Sequence, residues 1–283
     1  ERFKDLDSER VSYLFRRNGL ELDMVVRELW SELSKSEFKP IAFELGFGDD
    51  GDMPAIPIPS EKMQAVLRGY VDRVDIWQDG DRHYFRVVDY KTGRKDFDYC
   101  DVYNGVGLQM LLYLFALEQS GEEFFSVQLD GAGIQYFPAR VPVMTADSRL
   151  SDEEAQLERR KQWKRKGLLL ADEVVLSAMD PQESGRLCCT RKKDGTISGD
   201  LATKVQIGLL KKHVFRVLEK MVDDIASGNI TPNPYTRGTA HDACTYCPYG
   251  SVCHPNSVEE RRNYKAMNAQ RFWEEVEKEE RHG

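Results

Sequence analysis

The sequence has no run approaching the roughly 18 consecutive apolar residues of a membrane span. Its first residues, ERFKDLDSER, lack the charged-then-apolar layout of a secretory signal. A transmembrane or exported protein is therefore not expected, and a cytoplasmic location is. Cysteine is scarce, six in 283 residues, and without a secretory signal these do not read as a disulfide framework. Net positive charge is lacking too: 40 Lys and Arg stand against 48 Asp and Glu, a balance of −8. That argues against a uniformly basic nucleic-acid binder. It leaves room for one whose positive charge is local, since a metal-binding carboxylate site is itself acidic. No internal repeat and no low-complexity tract is evident, which sets aside repeat arrays and compositionally disordered tails. An initiating Met is also missing, and the chain is expected to be cut from something longer.

What is present is an ordinary globular composition, 41% hydrophobic and 31% charged, at a length that suits one large domain or two small ones. Apolar positions at helical spacing (Val11, Leu14, Phe15, Leu22, Val25, Leu29) run through 9–35, with an interruption expected at Asn18-Gly19. Residues 41–47 read as a strand. Two further strands, 65–77 and 83–90, flank the turn Asp79-Gly80-Asp81. A helix is expected over about 105–118, a strand over 133–137, and a long amphipathic helix over about 202–227 that stops at Gly228. From 145 to 200 the composition shifts to a charged helix (152–166) and a hairpin around Lys193-Asp194-Gly195, read as an insertion elaborating the core. The basic stretches 159–166 and 191–193 fit a solvated helix face and a hairpin tip as well as they fit a surface for a nucleic-acid strand.

The chemistry concentrates in GYVDRVDIWQDGDRHYFRVVDYKTG, residues 69–93. With a four-residue loop, 79–82, antiparallel pairing sets Asp72 opposite Asp89, and strand alternation puts Lys91 on the face of Asp89. One hairpin then offers two carboxylates and an ammonium on one surface. Carboxylates are hard oxygen ligands suited to Mg²⁺ or Mn²⁺, which polarises a phosphate and lowers the pKa of a water. An adjacent lysine can meet the charge of a pentavalent transition state. Asp89-Tyr90-Lys91 alone is a common tripeptide and marks no more than the polar end of a strand. The strand context and Asp72, 17 residues upstream, are what raise it. Asp75 would share this face only across a bulge.

The motifs GYVD (69–72) and VVDYKTG (87–93) resemble motifs II and III of RecB-family nucleases, which are of the PD-(D/E)xK type. Gln109 and Tyr113 in QMLLYL (109–114) resemble that family's QxxxY motif, and residues four apart share a helix face. Glu44 matches the acidic residue that many of these nucleases carry upstream of motif II. The resemblance implies an α/β, restriction-endonuclease-like fold with a central mixed sheet flanked by helices. It implies a metal-dependent DNA exonuclease in which Asp72 and Asp89 bind Mg²⁺ (or Mn²⁺), aided by the main-chain carbonyl of Tyr90. Lys91 would stabilise the transition state, Glu44 would be a further acidic group of the site, and Gln109 and Tyr113 would position DNA or the lysine.

Cys244, Cys247 and Cys253 form a C-x2-C-x5-C group, in a segment whose Pro248, Gly250 and Pro255 can wrap backbone around an ion. Such a set holds zinc or an iron–sulfur cluster, either normally with a fourth ligand, and His241 or His254 would favour zinc if they ligate. A cysteine group of this spacing, more than a hundred residues after QxxxY, resembles the AddB-type subunit of the AddAB helicase–nuclease. FKPIAFE (38–44), YNGVGLQ (103–109), GLLL (167–170) and ITPNPY (230–235) extend that resemblance. It implies a [4Fe–4S] cluster completed by a distant N-terminal cysteine, an AddA-type helicase–nuclease partner, and single-stranded DNA ends delivered during double-strand-break repair. No cysteine precedes Cys100, and Cys100, Cys188 and Cys189 do not match the family's first cluster ligand. That ligand, and the His of a G-x-x-x-H motif I, are expected ahead of residue 1. Two other readings stand beside this one: a stand-alone Cas4-like iron–sulfur nuclease, and a non-catalytic DNA-binding scaffold. The organisation expected is a nuclease domain over 1–256, containing the 145–200 insertion and the 244–253 cysteine segment, closed by a charged helix at 257–283.

Overall fold

The computed structural model describes residues 9–140, 163–238, 242–253 and 261–282, with single positions at 151, 154, 158 and 161. The first half of the chain carries α1 (Glu9–Leu33), β1 (Lys39–Phe47), β2 (Ile56–Ile58), β3 (Ala65–Leu67), β4 (Gly69–Asp79), β5 (Arg82–Lys91), α2 (Tyr99–Tyr103) and α3 (Gln109–Phe125). There follow β6 (Leu129–Pro138), β7 (Lys166–Leu170), α4 (Glu173–Met179), β8 (Cys189–Arg191), β9 (Ile197–Gly199) and β10 (Leu201–Ala202). The last part holds α5 (Lys204–Ala226), β11 (Tyr235–Thr236), α6 (Gly250–Cys253), β12 (Arg262–Asn263) and α7 (Ala269–His282). Two units emerge from the chain's contacts. One comprises Glu1–Gly46, Tyr70–Phe97 and Tyr113–Lys204; the other comprises Phe47–Gly69, Asp98–Leu112 and Val205–Gly283.

The first unit is built on a six-stranded sheet in the order β1-β4-β5-β6-β7-β10. The β4/β5 and β6/β7 pairs are antiparallel, while β5/β6 and β7/β10 are parallel, so the sheet is mixed and the fold is α/β. A parallel neighbour needs a long crossover. Residues 92–128, which hold α2 and α3, supply it between β5 and β6. Helix α3 is buried at every position from Met110 to Leu117, as a helix apolar on all sides must be. Val88, Phe137 and Trp163 form a buried cluster against Met24, Val25 and Leu29 of α1. Each such side chain removed from water contributes on the order of 1.5–3 kcal/mol.

Helix α1 runs through Asn18-Gly19 without the expected interruption. A single glycine in an exposed helix costs only about 1 kcal/mol, which the packing of the remaining turns outweighs. Between β6 and β7 the backbones approach so closely that a Cβ on Gly133 would lie 2.3 Å from the Leu168 carbonyl oxygen; Gly133 has a φ of +127°. The bulge opposite Phe85 and Arg86 falls at this same point in β6. Residues 166–170, within the stretch read as an insertion, form β7 of the central sheet, and among the described residues the β8/β9 hairpin and α4 follow it there. The helix expected at 152–166 lies mostly outside the described residues.

In the second unit α5 buries Ile207, Leu210, His213, Val214, Leu218 and Val222 on one face, and Gly228 follows its end at a φ of +69°. Helix α7 buries Phe272, Trp273 and Val276, and Phe272 lies 5.3 Å from the Tyr99 ring of α2, centroid to centroid.

Candidate active site

Strands β4 and β5 pair from Asp79 with Arg82 up to Arg73 with Val88. The turn is two residues, Gly80-Asp81, tighter than the four-residue loop expected, and Gly80 supplies the left-handed backbone it needs (φ +58°). Both loop lengths give one register, so Asp72 is the next residue beyond the last pair and Asp89 is its opposite number. At this point a side chain continues the ladder: Asp72 Oδ2 accepts a hydrogen bond from the Tyr90 backbone N–H at 2.8 Å. Lys91 Nζ sits 2.6 Å from Asp89 Oδ2, the lysine partly exposed and the aspartate 6% exposed. Asp72, Asp89 and Lys91 therefore share one face of the hairpin.

Burial pushes the Asp89 carboxyl above the ordinary carboxylate range. The Lys91 ammonium opposes that shift, and the charge of Asp72 adds to it. Tyr136 of β6 is in register with Asp89, and its hydroxyl is raised by burial and then by the Asp89 charge. Lys91 Nζ forms an ion pair with Asp89 Oδ2, the buried oxygen of that carboxylate. Two facing carboxylates, hard oxygen donors on one face of the hairpin, fit a hard divalent cation. No group of three His, Cys, Asp or Glu side chains converges at metal-binding distance among the described residues.

The opposite face of the hairpin buries a charge network beside the hydrocarbon of Val88 and its neighbours. Arg73, Asp75 and Arg86 are all at most 1% exposed. Arg86 Nε donates to Asp75 Oδ2 at 2.8 Å and its Nη2 to Glu32 Oε1 of α1 at 2.8 Å. Arg165 Nε donates to Glu32 Oε2 at 2.9 Å. Burial works to raise the Glu32 carboxyl, but the guanidiniums of Arg165, Arg86 and Arg73 outweigh it and hold the group at about 2. Arg73 Nη1 also donates to the Tyr90 hydroxyl at 2.7 Å. Tyr90 is thus held at its backbone by Asp72 and at its ring by Arg73. Asp75 belongs to this rear network, since β4 is regular here and no bulge turns its side chain toward Asp72.

The remaining expected residues lie as follows. Glu44 is exposed, with a φ of +49°, a strained conformation for a strand residue. Among the described residues no hydrogen bond or ion pair joins it to Asp72, Asp89 or Lys91. Gln109 is the exposed first residue of α3, and Tyr113, one turn on, is 2% exposed. Cys244 is half-buried, while Cys247 and Cys253 are exposed. The Cys247 N–H donates to the Cys244 carbonyl, and the Cys253 N–H to that of Tyr249. In this conformation the three sulfurs do not form a metal-binding set among the described residues. His241 and His254 lie outside the described residues.

Tyr136 and a cavity of about 540 Å³ beside Lys91 were not expected from the sequence. Their only signal was the lysine run ending at Lys166, which reads equally well as a solvated helix.

The family model of the PD-(D/E)XK nuclease superfamily matches residues 2–254. Nucleases of this superfamily generally use divalent metal ions. The ATP-dependent helicase/deoxyribonuclease B subunit of a Thermoanaerobacter species is 34% identical over 281 residues, covering 96% of this chain and 24% of that protein. Its namesake in Clostridium novyi is 35% identical over 280 residues (96% and 25%), and that of Oceanobacillus iheyensis 33% over 266 residues (91% and 23%). The chain spans about a quarter of the length of these curated relatives. With the hairpin constellation and the mixed sheet that carries it, these matches establish that the chain belongs to the PD-(D/E)XK nuclease superfamily.

Proposed function

We propose that this chain is a divalent-metal-dependent exonuclease acting on single-stranded DNA ends, within a cytoplasmic assembly whose AddA-type helicase subunit delivers the strand during double-strand-break repair. The observation that carries the reading is the convergence of Asp72, Asp89 and Lys91 on one face of the β4–β5 hairpin. The relatives' name, with its helicase and deoxyribonuclease, supports DNA as the polymer and a helicase as the partner.

Asp72 and Asp89, with the Tyr90 main-chain carbonyl, would hold Mg²⁺ or Mn²⁺. When bound, such a cation supplies Lewis-acid polarisation of the phosphate and offsets charge on the leaving oxygen. Lys91 brings its ammonium to the same face, where it meets the charge that grows on the phosphoryl oxygens. The Asp72 bond to Tyr90 N–H and the Arg73 bond to its hydroxyl fix the strand that bears Asp89 and Lys91, so that little reorganisation remains at the moment of reaction. Glu44, on its strained backbone, is proposed as a further acidic group, and Gln109 and Tyr113 as residues that position the strand. The spacing of Cys244, Cys247 and Cys253 supports an iron–sulfur centre, and no step of the reaction is drawn through it.

The test is cleavage of end-labelled single-stranded oligonucleotides by the purified protein with Mg²⁺ or Mn²⁺. Metal-dependent cleavage that disappears in Asp72→Asn and in Asp89→Asn is the expected result. Cleavage by either variant within a few-fold of the parent overturns the assignment.

A further inference from the structure

Beside the hairpin face, the first unit contains a cavity of about 540 Å³, within the roughly 300–1,000 Å³ of sites that enclose a small ligand. Its lining is at odds with the chain's overall charge. Seven of the twelve lining residues are Lys or Arg and one, Asp96, is acidic, in a protein whose balance is −8. The cations come from three segments. Lys91, Arg94 and Lys95 leave the end of β5, Arg140 follows β6, and Lys161, Lys164 and Lys166 lead into β7.

Some of this charge is already matched. Asp96 lies 2.9 Å from Arg94 and 3.0 Å from Lys166, Lys161 pairs with Glu158, and Lys91 pairs with Asp89. Lys95, Arg140 and Lys164 have no carboxylate within ion-pair distance among the described residues. The Lys164 ammonium donates to the neutral Thr190 hydroxyl, and Lys95 lies over the Tyr136 ring at 6.0 Å. Three separate segments converging cations on one concavity, with three of them unneutralised, repel one another unless an anion enters. Tyr136 and Pro138 add an apolar wall.

The cavity shares Lys91 and Tyr136 with the candidate catalytic face, and the Lys95 charge reaches Asp89. We infer that this cavity is a phosphate subsite that holds the sugar–phosphate backbone of the DNA strand next to the bond being cut, with Lys95 and Lys164 as its principal phosphate contacts. The inference rests on the nuclease reading of the adjoining face and names the part of the strand that the chain grips. The ligand chemistry is a phosphodiester or phosphomonoester of a single strand, taken either from within the strand or from its end.

The experiment measures binding of fluorescent single-stranded oligonucleotides, with a 5′-hydroxyl or a 5′-phosphate, in EDTA over a range of salt. Each phosphate contact on a single strand adds about 0.7 to the slope of log K against log salt. Lys95→Ala/Lys164→Ala should therefore lower the slope by about 1.4 and weaken binding roughly tenfold or more at 0.1 M salt. Lys95→Arg/Lys164→Arg should bind like the parent. Equal loss with both oligonucleotides means an internal phosphate occupies the cavity; loss confined to the 5′-phosphorylated strand means a strand end does. Affinity and slope within twofold of the parent, in a protein whose Asp89→Asn variant has lost cleavage, overturn the subsite and leave the nuclease reading standing. An Asp89→Asn variant that cleaves like the parent overturns the nuclease reading, and the subsite with it.

Discussion

Asp72 accepts the backbone N–H of Tyr90 at 2.8 Å, so one candidate metal ligand also pins the strand that carries Asp89 and Lys91. Charge and hydrogen bonding at this position are separable. Asp72→Asn keeps an acceptor for the Tyr90 N–H and should fold with stability within about 1 kcal/mol of the parent. It should nonetheless lose metal-dependent cleavage. Asp72→Ala should lose cleavage and, in addition, about 1 kcal/mol of stability. Urea denaturation beside the nuclease assay distinguishes these outcomes, and equal destabilisation by both substitutions contradicts the pinning role.

Asp89 is buried, and burial raises its carboxyl. Without metal its charge is therefore held at a cost that a neutral isostere avoids. Asp89→Asn should unfold at a higher temperature than the parent in EDTA at neutral pH. Added Mn²⁺ should raise the parent's transition temperature and leave the variant's unchanged. A variant stabilised by Mn²⁺ as much as the parent contradicts Asp89 as a ligand.

The rear network should show its own pH signature. Glu32 falls from 4.5 to about 2 in the folded protein, so its contribution is fully present above 4.5 and is lost as pH falls through about 2. Glu32→Gln leaves Arg86 with Asp75 and Arg165 with Glu28 but removes the carboxylate that joins the two guanidiniums, and should cost on the order of 1.5–3 kcal/mol at pH 7. Calorimetry at pH 7 and pH 5 should give a similar difference between variant and parent, with the difference shrinking progressively from pH 4.5 toward pH 2. A difference that vanishes by pH 4 contradicts the depressed carboxyl.

The cysteines fall into two classes. Cys100, Cys188 and Cys189 are buried, and burial raises the Cys188 and Cys189 thiols, whereas Cys247 and Cys253 are exposed. A thiol reagent should modify Cys247 and Cys253 in a fast phase. Loading with zinc, or with iron and sulfide under anaerobic conditions, should abolish that phase if the C-x2-C-x5-C group gathers on an ion. An unchanged fast phase after loading contradicts a metal centre there.

The hairpin was legible because its signals are local. Alternation fixes which side chains share a face, and a two-residue or a four-residue loop leaves Asp72 opposite Asp89 all the same. The strand and helix types were legible for the same reason, while their ends moved. The helix expected from about 105 begins at Gln109, and the strand expected at 133–137 extends over Leu129–Pro138. What stayed hidden depends on partners distant in sequence. Arg165 meets Glu32 across 133 residues, and a lysine run that alone looks solvated turns out to line a cavity with residues from two other segments. Asp75 was expected on the face of Asp72 only across a bulge, and in the regular β4 strand it faces away.

The central claim is that Lys91 acts on the charge of the transition state from the face it shares with Asp72 and Asp89. Its most direct test pairs single-turnover cleavage with equilibrium binding for Lys91→Ala at saturating Mg²⁺. The account predicts a fall in the cleavage rate of roughly 100-fold or more, with affinity for the single strand within a few-fold of the parent. A cleavage rate within a few-fold of the parent, or a loss of rate matched by an equal loss of binding, contradicts it.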